Sequence, residues 1–92
     1  MEAILSIAID ERRLVSFAYD GSRRVAEPHT LGRSKSGVLT LCAWQLTGGS
    51  GEGWRDFHLN RMGDLELTEE NFSIPRPGYN PNPSKLSVIA TL

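Results

Sequence analysis

A single cysteine, Cys42, is all that this chain carries. No disulfide can form within it, and no zinc site can be built on thiolates. Cys42 lies in an apolar run and reads as a small core residue. Imidazole is almost as scarce. His29 and His58 are the only histidines, Asp56 and Glu27 are the nearest carboxylates, and no metal-ligand spacing is recognisable. No hydrophobic stretch approaches membrane-spanning length. The N-terminus lacks the basic, apolar, small-residue order of a secretion signal, so a cytoplasmic location without membrane contact is the expectation. Excess charge is missing too. A net charge of −1 over 92 residues argues against a purely electrostatic, non-specific DNA binder.

Catalytic constellations are equally hard to find. A cysteine or serine nucleophile needs a base beside it, and nothing places a histidine near Cys42, which shares a strand face with Thr40 and Trp44. The pair Glu69-Glu70 has no partner in view and reads as a solvated turn. Gly48, Gly49, Gly51 and Gly53 do not precede a helix, as phosphate-cradling loops require. No enzyme and no cofactor are expected.

What is present is arginine, eight against two lysines. Between Arg12 and Arg61 there are eight basic residues against four acidic ones, Asp20, Glu27, Glu52 and Asp56. Arginine suits planar, two-point anion recognition, although a genome rich in G and C would produce the same bias. The densest stretch runs from Trp54 to Met62. Read as a strand, it places Arg55, Phe57, Leu59 and Arg61 on one face. Two readings compete there: a pocket rim that meets an anion, or strand-end arginines that reach water.

The rest of the chain divides readily. Glu2 to Arg13 reads as a helix with an apolar stripe of Ile4, Leu5, Ala8 and Ile9, and with Arg12 and Arg13 near its end as the dipole prefers. Leu14 to Tyr19 alternates as a strand, and Asp20-Gly21-Ser22 supplies a turn. Arg23 to Leu31 is a second strand, in which Pro28 marks an edge or a bulge. Val38 to Leu46 is apolar on both faces and central. A glycine loop, the fourth strand over Trp54 to Met62, and a short fifth over Asp64 to Thr68 follow. One helix and about five strands make a mainly β domain, a small antiparallel barrel with the helix across it. The domain spans residues 1–74. Residues 75–92 form a proline-rich strap and an apolar tail with Leu86, Val88, Ile89 and Leu92. That tail can dock on its own domain or on a second copy, and a core this small favours the second option, a homodimer.

Several segments, in order, resemble the WYL domain family: Val15-Ser16-Phe17-Ala18-Tyr19, then Arg24-Val25-Ala26-Glu27-Pro28-His29-Thr30-Leu31, then Arg55-Asp56-Phe57-His58-Leu59-Asn60-Arg61-Met62, and Phe72. The likeness runs from Ala3 to Pro75. It implies an SH3- or Sm-like barrel with an N-terminal helix, serving as a regulatory module that senses a ligand or binds nucleic acid. It also implies a free-standing version that works with a separate DNA-binding or effector protein. Arg24, Arg55 and Arg61 fall on matching positions. With Tyr19 at the end of the first matching strand, His29 near Arg24 in sequence, and Trp44 as a substitute for the missing aromatics, they make up the candidate ligand-binding set. The chain departs from the family at the tripeptide that names it, where Leu39-Thr40-Leu41 stands and Trp44 follows.

Two function classes result. One is a binding module whose arginines hold an anionic ligand, either a nucleotide-like effector or single-stranded nucleic acid. The other is an assembly module with structural arginines and no small ligand.

Overall fold

The structure is a computed structural model that describes all 92 residues. Helix α1, Glu2–Glu11, buries Leu5, Ala8 and Ile9 against the sheet. It ends two residues earlier than the charge pattern implies, because Arg12 adopts a left-handed conformation (φ 51°) and its N–H closes the helix on the carbonyls of Ala8 and Ile9. Arg12 and Arg13 therefore lie beyond the last turn. Their guanidinium groups hold the far end of the fifth strand instead, Arg13 donating to the Thr68 carbonyl at 2.7 Å and Arg12 to that of Ser73.

Strand β1, Arg13–Tyr19, buries Val15, Phe17 and Tyr19. Asp20 and Gly21, both with positive φ (48° and 79°), make a two-residue turn whose twist matches the flanking strands. Strand β2, Ser22–Ser34, follows, paired antiparallel to β1 from Ser22 to Ala26. Next come β3, Leu39–Thr47, and β4, Gly53–His58. Strand β5, Gly63–Asn71, returns beside β1, and β6, Leu86–Thr91, pairs with the second half of β2. The fifth strand thus runs three residues past the expected Thr68, drawn on by its pairing with β1 as far as Arg13 opposite Asn71.

The strand order is β4-β3-β2-β1-β5, with β6 attached to β2. The expected barrel is not closed: β4 and β5 are the two ends of the path and do not pair. The fourth strand stops at His58 and gives way to a 3₁₀ turn, η1, Leu59–Arg61. That turn drops Leu59 into the core and carries the chain to β5 without a ladder. The alternation across residues 55–61 breaks at the same place. Arg55 and Phe57 share a face of β4, but Arg61 sits on the exposed end of η1.

Pro28 marks a bulge, not an edge. The pairing of β2 with β3 slips between Pro28 and Thr30, and β2 is central. On its other side β1 ends at Ala26 and β6 begins at Thr30. The missing N–H of proline therefore falls in the gap between two partner strands, where no ladder bond is lost. The core joins Leu5, Phe17, Leu31, Leu41 and Phe57 with Leu59 and Met62. The apolar tail docks on its own chain as β6, with Leu86 buried. No helix is long and apolar enough to cross a membrane.

Candidate functional site

The six residues nominated by the sequence fall into two groups. Tyr19, Arg24, Arg55 and Arg61 gather where the β1–β2 hairpin, η1 and the β3–β4 loop meet. His29 and Trp44 lie on the sheet face opposite the core, under the strap.

In the first group Tyr19 is the hub. Its ring is buried edge-on against Phe17 and Phe57, and its hydroxyl accepts the His58 N–H at 3.0 Å. The guanidinium of Arg61 lies 4.9 Å from the ring centroid and that of Arg24 lies 5.6 Å away. Such cation–π contacts help hold a cation over the ring face. Arg24 is only 8% exposed. It donates to Ser22 Oγ at 2.9 Å, to Gln45 Oε1 at 2.8 Å and to the Tyr19 carbonyl at 3.0 Å.

Gln45, fully buried, passes the connection on. Its amide donates to the carbonyls of Gly48 and Gly51. Arg55 donates to the same Gly51 carbonyl at 3.0 Å and to Ser50 Oγ at 2.8 Å. One glycine loop thus wraps two guanidinium groups. Glycine is required there: a Cβ on Gly48 (φ 92°) would lie 2.1 Å from the backbone carbonyl oxygen of Arg23. Sequence reading missed Gln45, although a lone amide within the apolar run of β3 was the available signal, since a buried amide needs partners.

Charge is distributed unevenly over this cluster. Arg61 pairs with Asp20 on the surface. Arg24 and Arg55 have no carboxylate within ion-pairing distance, since the chain's ion pairs involve Arg13, Arg23, Arg61, Arg76 and Lys85.

The second group is aromatic and covered. The His29 ring is 1% exposed, stacked on Phe72 at 5.5 Å and edge-on to Trp54 at 4.7 Å. Its Nε2 accepts the Arg76 N–H at 3.1 Å, so Nδ1 carries the proton and donates to the Glu27 carbonyl at 2.8 Å. Burial lowers the pKa of His29 from its ordinary value, which agrees with a neutral ring. Trp44 and Trp54 meet edge-on at 5.6 Å. Trp44 also lies under the guanidinium of Arg76 at 5.2 Å. Glu27 and Arg76, both central here, escaped sequence reading because 49 positions separate them.

The WYL domain family matches residues 3–67 of the chain. The chain belongs to the WYL domain family. No curated protein and no solved structure matches it. The WYL match ends within β5, so the strap and β6 lie outside the matched span. In the Leu39-Thr40-Leu41 segment, Leu41 enters the core, Leu39 packs against it, and Thr40 is buried with its hydroxyl donating to the Val38 carbonyl at 3.1 Å. The aromatic surface of the outer face comes from Trp44 and Trp54 instead.

Proposed function

We propose that this WYL domain is a regulatory module that binds an anionic ligand, either a nucleotide-like effector or single-stranded nucleic acid, at the Tyr19–Arg24–Arg55–Arg61 cluster. One observation carries the reading: the guanidinium groups of Arg24 and Arg55 lie under a glycine loop with no carboxylate partner. Arg24, at 8% exposure, is a largely desolvated cation without a counter-ion, which is costly, and an anion against the loop offsets that cost. Arg61, exposed over Tyr19, supplies further donors once it exchanges Asp20 for the ligand. The module works with a separate DNA-binding or effector protein.

Titration of the intact chain against nucleotides and short oligonucleotides tests the proposal. A ligand is expected to bind with affinity that falls as salt rises, and Arg61→Ala should weaken it about tenfold. If no member of the panel binds, or if Arg61→Ala changes nothing, the reading fails.

A separate observation favours the assembly reading. Ile4 and Ile7 of α1 and Val88 and Ile89 of β6 are exposed, and α1 packs beside β6. These residues form the contact of a homodimer. Light scattering that finds only monomer at high micromolar concentration would remove it.

A further inference from the structure

The run Pro75-Arg76-Pro77-Gly78 lies outside helix and strand, yet the sheet holds it at Arg76, Pro77 and Gly78. The Arg76 N–H goes to His29 Nε2 at 3.1 Å. The Arg76 guanidinium meets Glu27 in a two-point contact, 2.7 Å and 3.0 Å, and lies over the Trp44 ring. Trp54 Nε1 donates to the Pro77 carbonyl at 2.9 Å. A Cβ on Gly78 would lie 3.0 Å from that same Nε1, so a residue without a side chain lets the indole reach the carbonyl.

These are the contacts by which aromatic-lined grooves take up proline-rich peptides. Here the segment is a tight turn: the Tyr79 N–H closes on the Arg76 carbonyl at 3.1 Å, Gly78 takes positive φ (93°), and Pro77 presets the turn, so its entropy is already low. An indole N–H takes a carbonyl, and a carboxylate fixes the register through an arginine. The carboxylate is built for the purpose: Glu27 is 5% exposed, and Arg76 is its only ionic partner. The arginine is not buried in return. Its side chain is 35% exposed, so it can leave without unpacking the core. The strap is tethered at both ends, by β5 and β6, and can lift between them while the sheet stays intact.

We propose that the outer face of β2, β3 and β4 is a recognition groove for an arginine–proline–glycine turn, filled here in cis by residues 75–79. Its occupant in trans is a partner protein that presents the same Pro-Arg-Pro-Gly chemistry and displaces the strap. The groove borders the arginine cluster proposed to hold the anion, since Arg55 lines the same cavity as Trp54, Gly78 and Tyr79. A tethered segment competes at an effective concentration on the order of millimolar, so the intact chain binds such a peptide weakly and a chain with a loosened strap binds it well.

The test uses the synthetic peptide Ile-Pro-Arg-Pro-Gly-Tyr and the fluorescence of Trp44 and Trp54, the only tryptophans of the chain. The intact chain carrying Arg76→Ala is expected to bind the peptide saturably, at least tenfold tighter than the unaltered chain does. A peptide with alanine in place of its arginine should not bind, and adding Glu27→Gln to Arg76→Ala should abolish binding. A folded Arg76→Ala chain that ignores the peptide, or that binds both peptides equally, overturns the proposal. So does equal affinity of the altered and unaltered chains. If Arg76→Ala does not fold, Arg76→Lys, which keeps the charge and loses the two-point contact, is held to the same criteria. If the unaltered chain sediments as a dimer that Glu27→Gln dissociates, the occupant is a second copy, and the assignment to a partner protein is overturned.

Discussion

The imidazole of His29 and the backbone N–H of Arg76 meet at 3.1 Å, and this bond exists only while Nε2 is unprotonated. Acid therefore acts on the strap directly. The pKa of His29 lies below its ordinary value of 6.5, chiefly through burial, and the nearby Arg76 and Arg12 add to the lowering while Glu27 opposes it. Because the docked state binds the proton less readily than the undocked one, docking is fully stable above about pH 6.5 and weakens as the pH falls toward the lowered value. Amide exchange of residues 72–79, followed from pH 8 to pH 5, should accelerate on acidification. His29→Gln, which keeps an acceptor without a titrating proton, should flatten that dependence.

Arg24 and Arg61 flank one tyrosine but differ in what they support. Arg24→Ala strands Gln45 Oε1 and the Tyr19 carbonyl in a buried site, and it should lower stability by about 3 kcal/mol. Arg61→Ala removes an exposed pair and should shift the melting temperature by less than about 2 °C. Urea and thermal melts of the two variants check the contrast. Equal destabilisation would show Arg61 to be structural.

Cys42 should be a poor nucleophile. Burial, aided by the negative charge of Asp56, pushes its thiol up to about 11. At pH 8 only about one thiol in a thousand is ionised. Iodoacetamide should label the folded chain at least tenfold more slowly than the urea-unfolded chain, and Asp56→Asn should raise the folded rate.

Gly32 controls whether the last strand can dock. A Cβ there would lie 2.7 Å from the Ser87 carbonyl oxygen, which belongs to backbone and cannot swing aside. Gly32→Ala should loosen β6 selectively. Amide exchange over residues 86–91 is expected to rise at least tenfold while β1 and β3 stay protected. Uniform loosening of the whole sheet would contradict this.

Local patterns made most of the strands legible. Val15, Phe17 and Tyr19 alternate, Asp20-Gly21 announces its turn, and Pro28 announces its bulge. The end of β4 was not legible, because the alternation runs on through Leu59 to Arg61 on paper, whereas η1 keeps Leu59 in the core and leaves Arg61 exposed. Arg55 and Arg61 were marked by their spacing and Arg24 by the family resemblance, and the structure brings the three to one loop and one ring. Their partners were hidden for a physical reason: carbonyls of Tyr19 and Gly51 carry no sequence signature. The groove under the strap was hidden by distance along the chain, since neither Glu27 nor Arg76 is unusual until the two are seen together.

Strand β2 holds β1 along its first half and β6 along its second, and this sets an order of events during folding. The hairpin of β1 and β2 closes over a two-residue turn, whereas Thr30 reaches Thr91 only across 61 positions. Contacts so distant form slowly, because the long loop between them must first be closed. On the ribosome, the helix and the first five strands can assemble while half of β2 still offers an unpaired edge. The last of the six strands seals that edge only once it has emerged, so a chain that has not yet presented β6 remains open to pairing with its neighbours.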